Sequence, residues 1–273
     1  MQREFYAMSV EPRLEVRRRL PEKPAGRPPL LFVHGGYCDA WCWEPLFLPW
    51  FAARGYAAHA LSLRGHGRSA GGDALFMTSL ADYESDVETV AAQLDEPPIL
   101  IGHSMGAAIV ELIMAKRPVR GAALLAPIPP AGLLPVATRL ATQHPDYLAQ
   151  MSGLDPSRLS IAVLETLRPF YFGPDVDPKL LAQAARHTSA ESPRALFDLS
   201  LRLHWALPRE APPPVFVLGA EGDRICLPDD VRATARHHDV EAIVVPGLAH
   251  MLMLEPRFEA AAQPLLRWLR TLH

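Results

Sequence analysis

The sequence has little of what marks several classes of protein. It contains three cysteines in 273 residues, Cys38, Cys42 and Cys226, which is too few for the disulfide framework of a secreted domain. We therefore expect three reduced thiols. Cys38 and Cys42 lack a second pair of ligands at metal-binding spacing, so we expect no metal. A formal net charge of −3 gives no electrostatic reason to expect nucleic acid or an anionic membrane as a partner.

Long apolar runs are also missing. The first six residues, MQREFY, lack the apolar core of a signal peptide, and no stretch reaches the roughly 18 uninterrupted apolar residues of a membrane span. The hydrophobic share of 49% and charged share of 21% are ordinary for a soluble globule. We expect a cytoplasmic monomer or homo-oligomer whose partner is a small-molecule substrate. The length suits a single α/β unit.

The most informative motif is GxSxG, formed by Gly102, Ser104 and Gly106. An apolar run, 98–101, precedes it as a buried strand would, and 107–110 follows it with the residues of a helix. A strand turns into a helix this sharply only if the serine adopts a strained backbone, and side chains at 102 and 106 would then clash. The setting predicts a nucleophile elbow with Ser104 as the nucleophile.

A serine hydroxyl also needs a base, and the base needs a group that orients it. Elbow enzymes place these groups in the order serine, acid, histidine. Asp223 follows a β-branched and aromatic run at 215–219, and His250 follows the apolar run 242–245. All three residues then lie at one edge of a sheet, where open α/β sheets collect their ligands. We predict a triad of Ser104, His250 and Asp223.

The reaction also needs donors for the negative charge that develops on the attacked carbonyl oxygen. The backbone N–H of Met105 is one candidate donor and that of Gly36 is the other. No cofactor is needed for such chemistry, and we expect none.

Other polar residues compete for roles at this edge. Glu221 is the local alternative to Asp223 as the acid. The imidazoles of His34, His66 and His103 also fall near the predicted site. We expect them to hold loops by hydrogen bonds.

Strand and helix patterns alternate along most of the chain, which predicts parallel pairing through right-handed crossovers. A hairpin at 3–8 and 11–18 precedes this alternation. We place the six later strands at 30–34, 56–62, 98–102, 121–126, 215–219 and 241–245, and helices at 44–54, 79–95, 105–117, 228–237 and 256–270. Pro228 and Pro256 suit a first helical turn, whereas Pro264 falls inside the last helix.

The alternation stops between residues 127 and 211. A structureless loop of this length is improbable, so we predict a helical lid inserted after the sixth strand. The lid contains an aromatic cluster, Phe170, Tyr171 and Phe172. These rings either line the substrate pocket or only pack the lid onto the main domain.

Four segments together resemble the α/β-hydrolase-fold family over nearly the whole chain. Residues 30–36 are similar to the family's third strand and oxyanion loop, and residues 64–69 are similar to its next loop. Residues 219–223 are similar to its acid turn, and residues 247–251 to its histidine turn. The resemblance implies an α/β fold with a mostly parallel eight-stranded sheet flanked by helices. It also implies a core domain of residues 1–126 and 212–273 and a helical lid of residues 127–211.

Two stretches, 34–43 and 250–254, look similar to plant methyl esterases and the related hydroxynitrile lyases. The lyases typically carry a lysine directly after the histidine, whereas Met251 stands there here. We predict a serine hydrolase that cleaves a small, largely apolar carboxylic ester through an acyl-enzyme. Other hypotheses stay open: a hydroxynitrile-lyase-like C–C lyase, a cofactor-free perhydrolase or haloperoxidase-type oxidoreductase, and a noncatalytic small-molecule receptor.

Overall fold

An eight-stranded, mostly parallel sheet forms the centre of the protein. A computed structural model describes residues 6–8, 13–23, 25–152, 161–201 and 212–272. The strands are β1 (Tyr6–Met8), β2 (Leu14–Arg19), β3 (Leu30–Val33), β4 (Ala58–Ser62), β5 (Ile99–His103), β6 (Ala122–Leu125), β7 (Val215–Ala220) and β8 (Ala242–Val245). Their order is β1-β2-β4-β3-β5-β6-β7-β8.

The pairing of these strands follows the predicted pattern. β2 pairs antiparallel with β1 and with β4, and every other neighbouring pair is parallel. The predicted hairpin is thus present as β1 and β2, although 3–5 and 11–12 of it lie outside the described residues. The α/β-hydrolase fold predicted from the sequence is confirmed.

Helices cover both faces of the sheet. Leu31 and Val33 of β3 pack into one apolar cluster, and Leu30 and Phe32 pack into another on the opposite face. Strands covered on both faces are apolar throughout, as parallel strands usually are. The helices are α1 (Phe47–Ala52), α2 (Leu80–Ala91), α3 (Met105–Lys116), α4 (Leu133–Gln143), α5 (Pro145–Ser152), α6 (Ile161–Tyr171), α7 (Pro178–Arg186), α8 (Pro193–Leu201), α9 (Pro228–His237) and α10 (Glu259–Leu269).

Two helices begin later than the sequence predicted. α1 starts at Phe47 and α10 starts at Glu259, and short 3-10 turns at Ala40–Trp43 and Leu252–Leu254 precede them. Pro256 is therefore not in the first turn of α10. A residue before proline avoids helical backbone, and Glu255 accordingly is extended with φ −79° and ψ 149°. Pro228 does begin α9, and Pro264 lies inside α10.

Helices α4 to α8 all lie between β6 and β7, where the sequence predicted an inserted lid. Residues 153–160 and 202–211 of this insertion lie outside the described residues. The division into a core domain and a lid domain stays a prediction. Within the described part of the chain, no helix combines the length and apolarity needed to cross a bilayer.

Candidate active site

Ser104 lies in a sharp turn between β5 and α3. Its backbone has φ 53° and ψ −117°, a region that residues other than glycine rarely adopt. Two hydrogen bonds hold the turn: the Ser104 N–H donates to the Leu125 carbonyl at 3.0 Å, and the Ser104 carbonyl accepts from the Ala107 N–H at 3.0 Å. The neighbouring strand and the helix thus keep Ser104 in its strained conformation.

The glycines on either side of Ser104 are required by close backbone contacts. A Cβ atom on Gly102 would overlap the backbone of Gly106, as the sequence predicted. A Cβ atom on Gly106 would also overlap the Val33 carbonyl oxygen of β3. The turn is therefore packed against its own helix and against the strand beside it.

Asp223 and His250 form a buried hydrogen-bonded pair. The His250 Nδ1 atom lies 2.7 Å from Asp223 Oδ2. The other oxygen of Asp223 accepts the N–H groups of Ile225 and Cys226 at 2.8 and 2.9 Å. His103 Nε2 donates to the His250 carbonyl at 2.9 Å. The acid is therefore held by its own loop, and the last residue of β5 holds the backbone of His250.

The alternative acid, Glu221, is exposed, whereas Asp223 is buried against the imidazole. Among the described residues, the side chains close enough to form a metal site are Asp223, Cys226 and His250, whose ligand atoms lie within 4.8 Å of one another. Burial, reinforced by the Asp223 carboxylate, raises the pKa of the Cys226 thiol well above its ordinary value. A protonated thiol is a poor metal ligand. The arrangement suits proton transfer better than metal binding.

One cavity of about 430 Å³ brings Ser104 and His250 together with both predicted oxyanion donors, Gly36 and Met105. Met105 is the first residue of α3, and the N–H groups of a helix's first turn have no partner within the helix. The rest of the lining is largely apolar and comes mainly from the insertion. It includes Leu133, Val136, Leu140, Tyr147, Met151, Leu196 and Leu199.

A smaller cavity of about 100 Å³ adjoins the first. The two share Gly36, Tyr37, Met151 and Tyr171 as lining residues. The smaller one is further lined by the indole of Trp41, the thioether of Met251 and other largely apolar groups. The two cavities thus both reach Gly36, and the smaller one is also lined by the polar residues Asp39, Arg168 and His187.

The aromatic cluster divides between these cavities and the interior of the insertion. Tyr171 lines both cavities and Phe172 lines the smaller one. Phe170 lines neither: its ring centroid lies 4.3 Å from that of Tyr147 and 4.9 Å from that of His144. Two of the three rings thus lie at a cavity, while Phe170 packs the insertion.

The three other histidines hold loops, as predicted. His34 donates from Nδ1 to the Gly35 carbonyl at 2.8 Å and accepts the Leu63 N–H at Nε2. Burial, with a contribution from His66, lowers the pKa of His34 to about 4. Burial likewise lowers the pKa of His103 well below its ordinary value. Both rings are therefore neutral in the folded protein at pH 7.

Sequence reasoning missed Glu191, a buried carboxylate that lines the larger cavity. His66 Nε2 lies 3.2 Å from Glu191 Oε2. Burial by itself would lower the pKa of His66, but the Glu191 carboxylate outweighs it and the pKa is raised. Glu191 is a single glutamate among polar residues before α8, and no sequence pattern there indicates that its side chain is buried.

A model of the alpha/beta hydrolase family matches residues 30–263. The chain belongs to this family. A pyrethroid hydrolase of Sphingobium wenxiniae is 30% identical over 96 residues, which cover 35% of this chain and 34% of that protein. The match thus spans about a third of that relative's length.

Solved structures share the fold over nearly the whole chain. A mutant of the N-acyl homoserine lactonase AidH complexed with N-hexanoyl homoserine lactone is 19% identical, covers 100% of this chain and 98% of its own, and has a TM-score of 0.76. An alpha/beta hydrolase fold protein of Burkholderia ambifaria is 22% identical, covers 95% and 96% of the two chains, and has a TM-score of 0.67. At these identities the likeness shows the fold alone.

The lowered pKa of His34 predicts acid sensitivity. Burial lowers the pKa of His34 from 6.5 to about 4, so the stability it confers is present above pH 6.5 and is lost as the pH falls toward 4. The unfolding free energy of wild type should fall between pH 7 and pH 4.5. In His34→Gln this fall should be smaller by about 2 kcal/mol. Urea unfolding of both proteins at the two pH values measures these free energies. An equal loss of unfolding free energy in wild type and in His34→Gln would contradict this assignment.

Proposed function

We propose that the protein is a serine hydrolase that cleaves a small, largely apolar carboxylic ester through an acyl-enzyme. One observation carries the proposal: Ser104, strained at the elbow, lines the same apolar cavity as His250, whose Nδ1 lies 2.7 Å from Asp223. These are the nucleophile, the base and the orienting acid that serine catalysis requires.

The Asp223–His250 pair determines which imidazole nitrogen acts as the base. Because His250 Nδ1 faces the Asp223 carboxylate, its proton stays there and Nε2 is left to accept the Ser104 proton. Ser104 Oγ then attacks the ester carbonyl. His250 returns the proton to the leaving alcohol, and a water activated in the same way hydrolyses the acyl-enzyme to the carboxylic acid and free Ser104.

The negative charge of each tetrahedral intermediate requires N–H donors at the elbow. Met105 is the residue after the nucleophile, and Gly36 lies in the loop that follows β3. A Cβ atom on Gly35 would lie 3.0 Å from Ser104 Cβ, so this loop packs directly on the elbow. We assign the oxyanion to the Met105 and Gly36 N–H groups.

The cavity lining favours neutral, apolar substrates. No lysine or arginine is among the described residues that line the larger cavity, so a negatively charged substrate would meet no compensating cation there. An ester with two apolar halves would extend into both cavities. The local similarity to a pyrethroid hydrolase agrees with a substrate of this kind.

Carbon–carbon cleavage of a cyanohydrin fits less well. That reaction releases a cyanide anion, which a nearby cation would stabilise. Met251, directly after the histidine, is buried and lines the smaller cavity. Arg168 lines the same cavity, but Met251 supplies no charge at the position directly after the histidine, and this position favours ester hydrolysis over the lyase reaction.

Ser104 should react covalently with an active-site probe. A fluorophosphonate is expected to label the protein at Ser104, because His250 can take the serine proton. Peptide mass mapping identifies the site, with Ser104→Ala as the control. A folded protein that resists the probe, or a Ser104→Ala variant that is still labelled, would contradict the proposal and favour the receptor hypothesis.

Asp223 should matter for turnover more than for folding. Asp223→Asn keeps the size of the side chain but no longer fixes the His250 tautomer, and kcat for a p-nitrophenyl ester should fall by up to about 10⁴-fold. Stopped-flow and steady-state assays measure this change, and circular dichroism checks the fold. Glu221→Gln is the matched control and should stay within about twofold. Activity of Asp223→Asn within tenfold of wild type would move the role to another carboxylate.

Phe172 should influence selectivity, and Phe170 should influence stability. Because Phe172 lines the smaller cavity, Phe172→Ala should shift relative kcat/KM across a series of acyl and alcohol groups by ~10 to 200-fold. Phe170→Leu, which alters packing inside the insertion, should lower Tm and leave the profile parallel to wild type. The rate of Ser104 labelling by a small probe should change little in either variant. If the kcat/KM profiles of both variants run parallel to that of wild type, Phe172 does not contact the substrate.

A further inference from the structure

The linker between α7 and α8, residues 187–192, lies across the loop that follows β3. The Ser189 N–H donates to the Tyr37 carbonyl at 2.9 Å, and the Ser189 hydroxyl donates to the Cys38 carbonyl at 3.3 Å. In the reverse direction, the Tyr37 N–H donates to Glu191 Oε2 at 3.2 Å. The linker therefore holds the backbone directly after Gly36.

The Glu191 carboxylate accepts four hydrogen bonds. Oε1 accepts from the Tyr83 hydroxyl at 2.6 Å and from the Ser192 N–H at 2.7 Å. Oε2 accepts from the Tyr37 N–H at 3.2 Å and faces His66 Nε2 at 3.2 Å. A carboxylate has about four acceptor sites. Glu191 lines the larger cavity but has no site left for a substrate, which indicates that it acts through its neighbours.

His66 balances the charge of this carboxylate. Its two ring nitrogens face two acceptors, the Arg64 carbonyl at 3.0 Å and Glu191 at 3.2 Å, so the ring donates twice as an imidazolium. An uncompensated anion in this cavity would oppose the negative charge of an oxyanion. Besides Glu191, the titratable groups that face His66 are His34, Tyr83 and Asp39.

Tyr37 is in a strained conformation that needs such support. Its φ of 62° is in the left-handed region, which a bulky residue rarely adopts. Strain of this kind persists where surrounding contacts hold it. Glu191 and Ser189 supply those contacts on the N–H and the carbonyl of Tyr37.

We propose that Glu191 is a positioning residue that fixes the loop after β3, so that the Gly36 N–H is presented to the oxyanion. This inference rests on the proposed serine-hydrolase function for its catalytic consequence. The insertion thereby contributes to the rate of the reaction as well as to the choice of substrate.

Glu191→Gln tests the proposal with a side chain of the same size. An amide oxygen and an NH₂ group cannot accept all four donors, so Tyr37 or His66 loses its partner. We expect kcat for a p-nitrophenyl ester to fall about 10- to 100-fold, which is at or below the loss of about 100- to 1000-fold seen when an oxyanion donor is removed outright. KM should stay within about threefold. Hydrogen exchange at the Tyr37 amide should become faster, and the pKa of His66, followed by NMR, should fall.

Asp198→Asn is the matched control. Asp198 is a buried carboxylate of α8 that accepts from the Leu80 N–H at 3.3 Å and from Arg194 at 2.8 Å. It joins the insertion to α2 instead of the loop after β3. We expect its kcat within about twofold of wild type and no change in Tyr37 exchange, even where Tm is lowered.

Three results would overturn the proposal. The first is a Glu191→Gln variant whose kcat and Tyr37 exchange rate equal those of wild type. The second is an Asp198→Asn variant that loses as much kcat as Glu191→Gln. The third is a wild-type protein in which His66 titrates at or below pH 6.5. The last measurement needs no variant, so it tests the Glu191–His66 pair even if Glu191→Gln does not fold, and exchange at the Tyr37 amide of the wild-type protein then tests whether that N–H is held. Failure of this proposal can be told apart from failure of the proposed function. If the protein is not a serine hydrolase, wild type shows no Ser104-dependent turnover, but hydrogen exchange at the Tyr37 amide still reports whether Glu191 fixes the loop.

Discussion

The close approach of β3, β5 and α3 around Ser104 is the constraint on which the site depends. Gly106 leaves no room for a side chain against the Val33 carbonyl, and Gly102 leaves none against Gly106. Ser104 lies at this contact with a strained backbone, and α3 begins at the next residue, Met105. The loop after β3 packs on the same elbow, since a Cβ atom on Gly35 would lie 3.0 Å from Ser104 Cβ.

The loops at this edge support one another through buried hydrogen bonds. His103, the last residue of β5, donates to the His250 carbonyl, and His34 accepts from the Leu63 N–H beyond β4. His34 can accept because burial lowers its pKa and leaves Nε2 unprotonated. Burial also lowers the pKa of His103, whose Nε2–H is the donor in its bond. The hydrogen bonds that His34 and His103 make to loop backbone therefore explain why these histidines lie near the site.

The helical insertion is attached to two of these loops. The Met251 N–H donates to the Tyr171 carbonyl of α6 at 2.8 Å, which joins the insertion to the histidine loop. The linker at Ser189 and Glu191 joins it to the loop after β3. The same segment that lines the cavities with apolar side chains thus also touches the backbone on both sides of the proposed reaction centre.

The sequence by itself determined the sheet, the elbow and the identity of the paired Asp223 and His250, because these depend on local patterns: apolar runs, glycine spacing and post-strand loops. Only the tertiary structure decided that Phe170 packs the insertion while Phe172 lines a cavity, since adjacent aromatics have the same composition signal. It alone showed that Glu191 is buried against Tyr37, 154 residues away in the chain. Contacts between distant segments depend on how the insertion packs on the sheet, and no local periodicity encodes that packing.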